Sequence, residues 1–504
     1  MHRQFLRNPG KRRSFFRVQE YCTKKRKGVW EELFMQKTNT RDMTVGSPVR
    51  LILFFAVPLM LGNLFQQMYT MVDTIIVGKG VGVQALASLG AADWLNWLFL
   101  GLVTGLTQGF SILMAQLYGA GNTEKLRDAV GNSILLTVGA AILFVVTAQG
   151  GLNLFLHLMH TPENIYAGSE IYLRIMFGGI PVILAYNLAA ATLRALGDSR
   201  SPLYAMIIAA CINIVLDLLF VMVFHWGIPG AAAATVIAQV FSFLYCFLVI
   251  RKMEVLKLHR KNLKLQKEMV KRLLMLGMPV MFQNVVISVG GMVVQSVINT
   301  FGFIFVAGFT ATNKLYGLLE MAAISFGFAV TTYTGQNLGA GKLDRIRKGM
   351  RSAMAMAALT SFAVSAVMLI FGRAILHLFV SGDPAQIEEV VGIAYHYLSV
   401  MSWFLVILYA LHVYRCALQG LGDTVIPMVS GFAEFLMRVG AVLLLPLLIG
   451  QEGVFYAEIL AWTGAAVILI AAYYLRMNRM MQGKSVRKKE NGSVERSRKQ
   501  NEKG

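Results

Sequence analysis

Charged residues are scarce in this chain of 504 residues, and the scarcity excludes an ordinary soluble domain. Asp, Glu, Lys and Arg make up 14% of the sequence, against about 25% in a typical soluble domain. Hydrophobic residues reach 56% and the mean hydropathy is +0.59. The four cysteines are scattered, without the spacing of a disulfide framework or a Cys-based metal site. This composition is typical of a protein that crosses a lipid bilayer many times.

The apolar residues are arranged in long runs. Each run is long enough for one helix across a bilayer, which takes about 20 apolar residues. We therefore expect an all-α polytopic membrane protein with twelve transmembrane helices. The predicted spans are 50–78, 92–117, 129–150, 165–192, 202–224, 230–250, 272–300, 307–335, 350–371, 388–414, 426–447 and 454–475.

Two short motifs occur twice. Residues 116–121 (Gln-Leu-Tyr-Gly-Ala-Gly) are matched by residues 336–341 (Gln-Asn-Leu-Gly-Ala-Gly), and residues 193–198 are matched by residues 418–423. Repeats at a nearly constant offset indicate one structural unit used twice. Each unit holds six spans, an even number, so both insert in the same orientation. The sequence predicts two six-helix bundles related by a parallel internal repeat, an arrangement found in alternating-access transporters.

The basic residues predict the orientation. Outside the spans, Lys and Arg lie almost wholly on the side of the two termini, and only Lys79 and Arg373 stand opposite. By the positive-inside rule both termini are expected in the cytoplasm, and the protein in the inner (plasma) membrane. The formal net charge of +21 is then a topology signal, and no nucleic-acid partner is expected.

The same features divide the chain into five segments. We expect a basic cytoplasmic flank, a first bundle, a basic cytoplasmic linker, a second bundle and a basic disordered cytoplasmic tail. Met43, just before the first span, is an alternative start of translation. The five segments are 1–48, 49–250, 251–271, 272–476 and 477–504.

One polar pair lies inside the fifth span. Asn213 and Asp217 are four residues apart, so they share one helical face. An aspartate at membrane depth is costly and normally faces a protein interior or a water-filled cavity, where it binds an ion or relays a proton. A hydrogen bond in a helix contact is the alternative role for this aspartate.

Topology places two further polar groups at a similar depth. Asp73 lies five residues before the outer end of the first span, and Thr235 about five residues into the sixth. Together with Asp217 they can form one pocket of carboxylate, amide and hydroxyl oxygens, ligands that suit Na⁺ or H⁺ and not a transition metal.

Together with the stretches 58–78 and 230–239, the repeated motifs resemble those of the multidrug and toxic compound extrusion (MATE) family of cation-coupled antiporters. The similarity runs from about residue 44 to 480. It includes the string at 58–78, the Gln-x-x-Gly-Ala-Gly loops, the Leu-Gly-Asp turns and the string at 230–239.

The resemblance implies a cation site in the first bundle. Pro58 falls where the family's first helix can bend. Acids that other branches place in spans 7 and 10 have no counterpart here, since span 7 carries Gln283 and Asn284. The residues that match the family's cation site are Asp73, Tyr69, Asn187, Asn213, Asp217 and Thr235.

The functional prediction is a secondary antiporter, with no enzymatic activity and no cofactor. It would act as a monomer and export organic, cationic or amphipathic compounds in exchange for Na⁺ or H⁺. Glu320, with Gln283 and Asn284, is expected to line the substrate cavity. One alternative is a lipid-linked oligosaccharide flippase of the same superfamily. The other is a membrane protein that transports nothing, which would call for a catalytic cluster or a sizeable extramembrane domain.

Overall fold

The computed structural model describes residues 40–159, 161–379 and 384–501, so most of the basic flank predicted at 1–48 lies outside the described residues. These ranges form α-helices joined by short connections. The thirteen α-helices are α1 Pro48–Gly80, α2 Val83–Gly119, α3 Thr123–Leu158, α4 Glu163–Gly178, α5 Ile180–Ala195, α6 Arg200–Asp217, α7 Gly227–Arg251, α8 Lys267–Ile298, α9 Phe303–Gly339, α10 Leu343–Phe379, α11 Pro384–Gly420, α12 Val425–Ile449 and α13 Ala457–Asn501.

Eleven helices of the described chain are long and apolar enough to cross a membrane. The helices α4 and α5 make a twelfth span, bent by 48° where they meet. Pro181 stands in the first turn of α5 and cannot donate to the turn before it, which explains the break after Gly179. The all-helical fold with twelve predicted spans is thereby confirmed.

The two halves of the chain, α1–α7 and α8–α13, meet at one end of the molecule. We call it the basic end: it carries the start of α1 and the connections at 120–122, 196–199, 252–266 and 340–342. A Cβ added at Gly119 would lie 2.0 Å from the Gln336 carbonyl oxygen, and one at Gly339 would lie 1.9 Å from that of Gln116. Only glycine permits this approach, so α2 and α9 touch there backbone to backbone.

Each half is completed by the first helix of the other. The hydrophobic core of the second half includes Ile52, Phe55 and Leu59 of α1. The core of the first half includes Leu273 and Met281 of α8. The domain boundaries drawn from the sequence stay predictions, but this exchange means that movement of one half displaces a helix of the other.

The linker between the halves is docked on α3. Asn262 donates to the Asp128 carboxylate at 2.7 Å, and the backbone nitrogen of Gln266 donates to Asn132 at 2.9 Å. Gly131 leaves room for the linker, because a Cβ there would lie 2.1 Å from the Asn262 carbonyl oxygen. The linker is therefore a fixed part of the first half.

Candidate cation-coupling site

Asp217 sits at a change of helical geometry. It is the last residue of α6, and the chain continues as one π-helix over Leu218–Val223. A π-helical turn widens the helix by one residue and frequently occurs at functional sites. Asp217 and Asn213, one turn earlier, are both 0% exposed. A carboxylate buried this completely needs a partner that carries positive charge.

Asp73 supplies a second acid beside the first. α1 packs against α6 and the π-helix, and the carboxyl groups of Asp73 and Asp217 adjoin each other. Two neighbouring carboxylates repel each other unless they share a proton or a cation lies between them. The adjacency expected from the depths of the two residues is thus present in the structure.

Thr235 of α7 reaches the same group. Its Oγ1 accepts from Nδ2 of Asn213 at 3.4 Å, which leaves the Asn213 Oδ1 free for another partner. Residues 231–234 are alanines that let α7 pack closely on its neighbours, and three of the four are buried. Asn213, Asp217 and Thr235 therefore form one polar group between α6 and α7.

Several acceptor oxygens of the pocket have no hydrogen-bond donor among the described residues. Within the described chain, both carboxylate oxygens of Asp217, Oδ1 of Asp73 and Oδ1 of Asn213 are buried without a hydrogen-bond partner. Oε1 of Gln239 on α7, one turn from Thr235, is likewise buried without a hydrogen-bond partner. Buried polar atoms are normally satisfied, so such a set indicates a missing positive partner. Hard oxygens of this kind suit a proton or Na⁺.

Two tyrosines stand beside the acids. Tyr69, one turn before Asp73, is close enough to interact electrostatically with both carboxyl groups. Tyr172 of α4 is buried and has the same two neighbours. Sequence reasoning missed Tyr172, because a tyrosine in an apolar run gives no sign of which helix it will face.

The structure places Asn187 in a contact within its own helix and Pro58 inside an unbroken helix. Nδ2 of Asn187 donates to the Ile183 carbonyl at 2.8 Å, within its own helix. α1 passes through Pro58 as one continuous helix from Pro48 to Gly80. A role for Asn187 in ion binding and a bend at Pro58 both stay predictions.

The predicted cavity residues have different surroundings. Gln283 is 1% exposed and bonds the Pro427 carbonyl at 2.8 Å and Gln419 at 3.3 Å. Its amide joins helices within the second half, and a cavity role for Gln283 stays a prediction. Asn284 is half-buried and ties α8 to α2 by donating to the Gly101 carbonyl at 3.2 Å.

Glu320 belongs to a charged group inside the second half. It pairs with His412 at 3.2 Å and keeps 27% of its side chain exposed. Deeper in, Glu434 bonds both Arg415 and Arg438, and Arg438 reaches Glu458 at 2.8 Å. These groups neutralise one another in pairs, unlike the unpartnered oxygens of the first half.

The comparisons with known proteins agree with this architecture. A family model described as MatE matches residues 58–219 and 279–443. The chain is 31% identical over 372 residues to "Probable multidrug resistance protein YoeA" of Bacillus subtilis, covering 72% of this chain and 79% of that protein. It is 25% identical over 386 residues to "Probable multidrug resistance protein NorM" of Thermotoga maritima, covering 75% and 81%.

Solved structures share the fold. The structure described as "Crystal structure of MATE in complex with MaL6" superposes with a TM-score of 0.82 at 23% identity, covering 88% of this chain and 99% of that one. Family model, relatives and fold point the same way. The chain belongs to the MATE family of multi-pass membrane transporters.

Proposed function

We propose that this transporter exports organic compounds in exchange for Na⁺ or H⁺ and that the exchanged ion binds between Asp73 and Asp217. The observation that carries the proposal is the set of buried acceptor oxygens without donors at these two acids and Asn213. Na⁺ can take several of these oxygens as ligands, and a proton shared by the two acids removes the repulsion between them. We further propose that the protein lies in the plasma membrane with its termini in the cytoplasm, as the distribution of basic residues predicts, and acts as a monomer.

The coupling follows from a difference in affinity between two states. An ion bound between the acids draws α1 towards α6, and Pro58 gives α1 a point where it can bend. The beginning of α1, from Ile52 to Leu59, packs in the core of the second half. Bending of α1 therefore changes the packing between the two halves. An ion that binds the acids more tightly in one arrangement shifts the population towards it.

The test uses the purified protein in liposomes loaded with a fluorescent organic cation, with Na⁺ and pH gradients imposed separately. We expect wild-type export to follow one of the two gradients. Asp73→Asn and Asp217→Asn should each reduce gradient-driven export at least tenfold, because each removes one charge that holds the ion. Glu163→Gln changes an exposed acid at the start of α4 and serves as the control.

Export that follows neither gradient would reject ion coupling. Full gradient-driven export by both aspartate variants would reject the ion site while leaving the family and the fold untouched. Transport of a lipid-linked oligosaccharide, without export of any organic cation, would favour a flippase instead.

A further inference from the structure

Two opposite charges lie inside the membrane-spanning helices and have no part in the ion site. Asp93 belongs to α2 and Lys314 to α9, and both side chains are exposed. Within the described ranges neither of them makes a hydrogen bond or an ion pair. Charged residues in membrane spans are costly and normally mark a path for ions or substrates.

Asp93 lies near charged and polar groups of three other helices. Groups from three other helices lie within electrostatic reach of its carboxylate: Asp73 of α1, Tyr172 of α4 and Lys314 of α9. A side chain surrounded in this way and still exposed must border a space that water can enter. We call this space the cleft. One acid of the ion site, Asp73, therefore neighbours the wall on which Asp93 stands.

The internal repeat sets the level of the two charges. α2 and α9 are equivalent helices that touch at Gly119 and Gly339. Counting back along each helix at about 1.5 Å per residue, Asp93 and Lys314 both lie about 38 Å from that contact. They therefore lie at one level on the two halves of the protein, within electrostatic reach of each other but without an ion pair.

The charges are additions to the shared scaffold. The repeat equivalent of Asp93 is Asn313, and the equivalent of Lys314 is Trp94. Neither charge is therefore needed to build the helix that carries it. Their opposite signs also bear on the substrate. A cleft lined by acids alone would favour simple organic cations, but a lysine repels them.

We propose that Asp93 and Lys314 are the two poles of a substrate site that favours zwitterions, organic compounds with both a cationic and an anionic group. This inference rests on the proposed export function and names its substrate class. The cationic group lies at Asp93, near the ion site, and the anionic group at Lys314. A cation held at Asp93 weakens the binding of a second cation at Asp73, so substrate and coupling ion oppose each other.

Two dyes with one ring system provide the test. Rhodamine B is zwitterionic, and its ethyl ester carries only the positive charge. Export of both is measured in liposomes under the gradient that drives the wild type. Lys314→Gln should raise the KM for rhodamine B about tenfold, the loss of one charge contact, without raising that for the ester. Asp93→Asn should raise the KM for both dyes. The control Lys79→Gln changes an exposed lysine in the last turn of α1, a helix that carries neither charge of the proposed site, and should change neither KM.

The outcomes separate this inference from the proposed function. If the wild type moves the ester under a gradient but Lys314→Gln leaves the preference between the dyes unchanged, the zwitterion site is rejected and export stands. A different result is that Asp93→Asn and Lys314→Gln slow the export of both dyes equally and that the exchanged variant Asp93→Lys with Lys314→Asp restores it. That result would mean that the two charges attract each other to close the cleft, and the zwitterion site would be rejected. If no gradient moves either dye, both proposals fail.

Discussion

Gln116 and Gln336 make the same contact in opposite directions between the two halves. Nε2 of Gln116 donates to the Gly420 carbonyl at 3.0 Å, and Nε2 of Gln336 donates to the Ala195 carbonyl at 2.8 Å. Ala195 and Gly420 each come directly before a Leu-Gly-Asp turn. The two motifs that repeat in the sequence are therefore one contact made twice, and they close the basic end.

The contact of Gln336 is the stronger of the two. Its Oε1 also accepts from the backbone nitrogen of Met43 at 2.8 Å, and Met43 is 1% exposed. We predict that Gln336→Ala opens the basic end more than Gln116→Ala, because it breaks two buried bonds instead of one. A single cysteine introduced at Ala195, which is 2% exposed, should react faster with a water-soluble maleimide in the first variant. Equal rates in the two variants would show that the segment before α1 adds nothing to closure.

The glycine contact between α2 and α9 gives a second prediction. Gly119→Ala or Gly339→Ala places a methyl group within about 2 Å of a carbonyl oxygen, a distance at which the backbone must move. We expect either variant to hold the basic end apart and to reduce export at least tenfold, with increased labelling of a cysteine at Ala195.

Gly139→Ala is the matched control for this prediction. Gly139 is exposed in the middle of α3, and a Cβ there meets nothing within 4 Å. Its replacement should leave export unchanged and slightly favour the helix. Normal export by both contact variants would mean that backbone contact at the basic end is not needed in the transport cycle.

Much of the fold could be predicted from the sequence because it depends on local patterns. Apolar runs identified the spans, including the one that α4 and α5 form around their bend. The depth of Asp73 and Asp217 in their helices was enough to expect that they meet, because helix rise fixes the level of a residue.

What could not be predicted depends on contacts between helices. Nothing in residues 218–223 distinguishes a π-helix from an α-helix. The rotation of α4 brings Tyr172 to the ion site and the rotation of α2 brings Asp93 near Asp73, and packing decides both rotations. The buried contacts of Gln283 could not be predicted for the same reason: a polar residue in a span can face a neighbouring helix as well as a cavity.

The Leu-Gly-Asp turns give a third prediction, on stability. Asp198 is 0% exposed and accepts from the backbone nitrogens of Arg200 and Ser201 and from the Ser201 hydroxyl. Its equivalent Asp423 accepts one bond, from Ile426 at 3.3 Å. Burial raises the pKa of Asp198, while these three donors oppose the rise by stabilising the charged form.

We therefore expect Asp198→Ala to destabilise the protein more than Asp423→Ala. The loss of a side-chain acceptor for the first N–H groups of a helix costs about 1 kcal/mol, and the buried donors of Ser201 left unpaired add to it. The midpoint of thermal unfolding in detergent, followed by size-exclusion chromatography, measures the difference. A larger shift for Asp423→Ala would contradict the assignment of these bonds.

The buried charges of the second half give the last prediction. Glu434 lies between Arg415 and Arg438, and all three side chains are less than 10% exposed. Removing one partner of a buried pair costs about 3–5 kcal/mol, because the other charge stays buried without compensation. Glu434→Gln leaves two arginines with Glu458 alone, and it should lower the midpoint of thermal unfolding more than the double variant Glu434→Gln with Arg415→Met, which removes one charge of each sign. If the double variant proves the less stable of the two, Glu434 and the two arginines do not compensate one another's charge, and other contacts stabilise these buried charges.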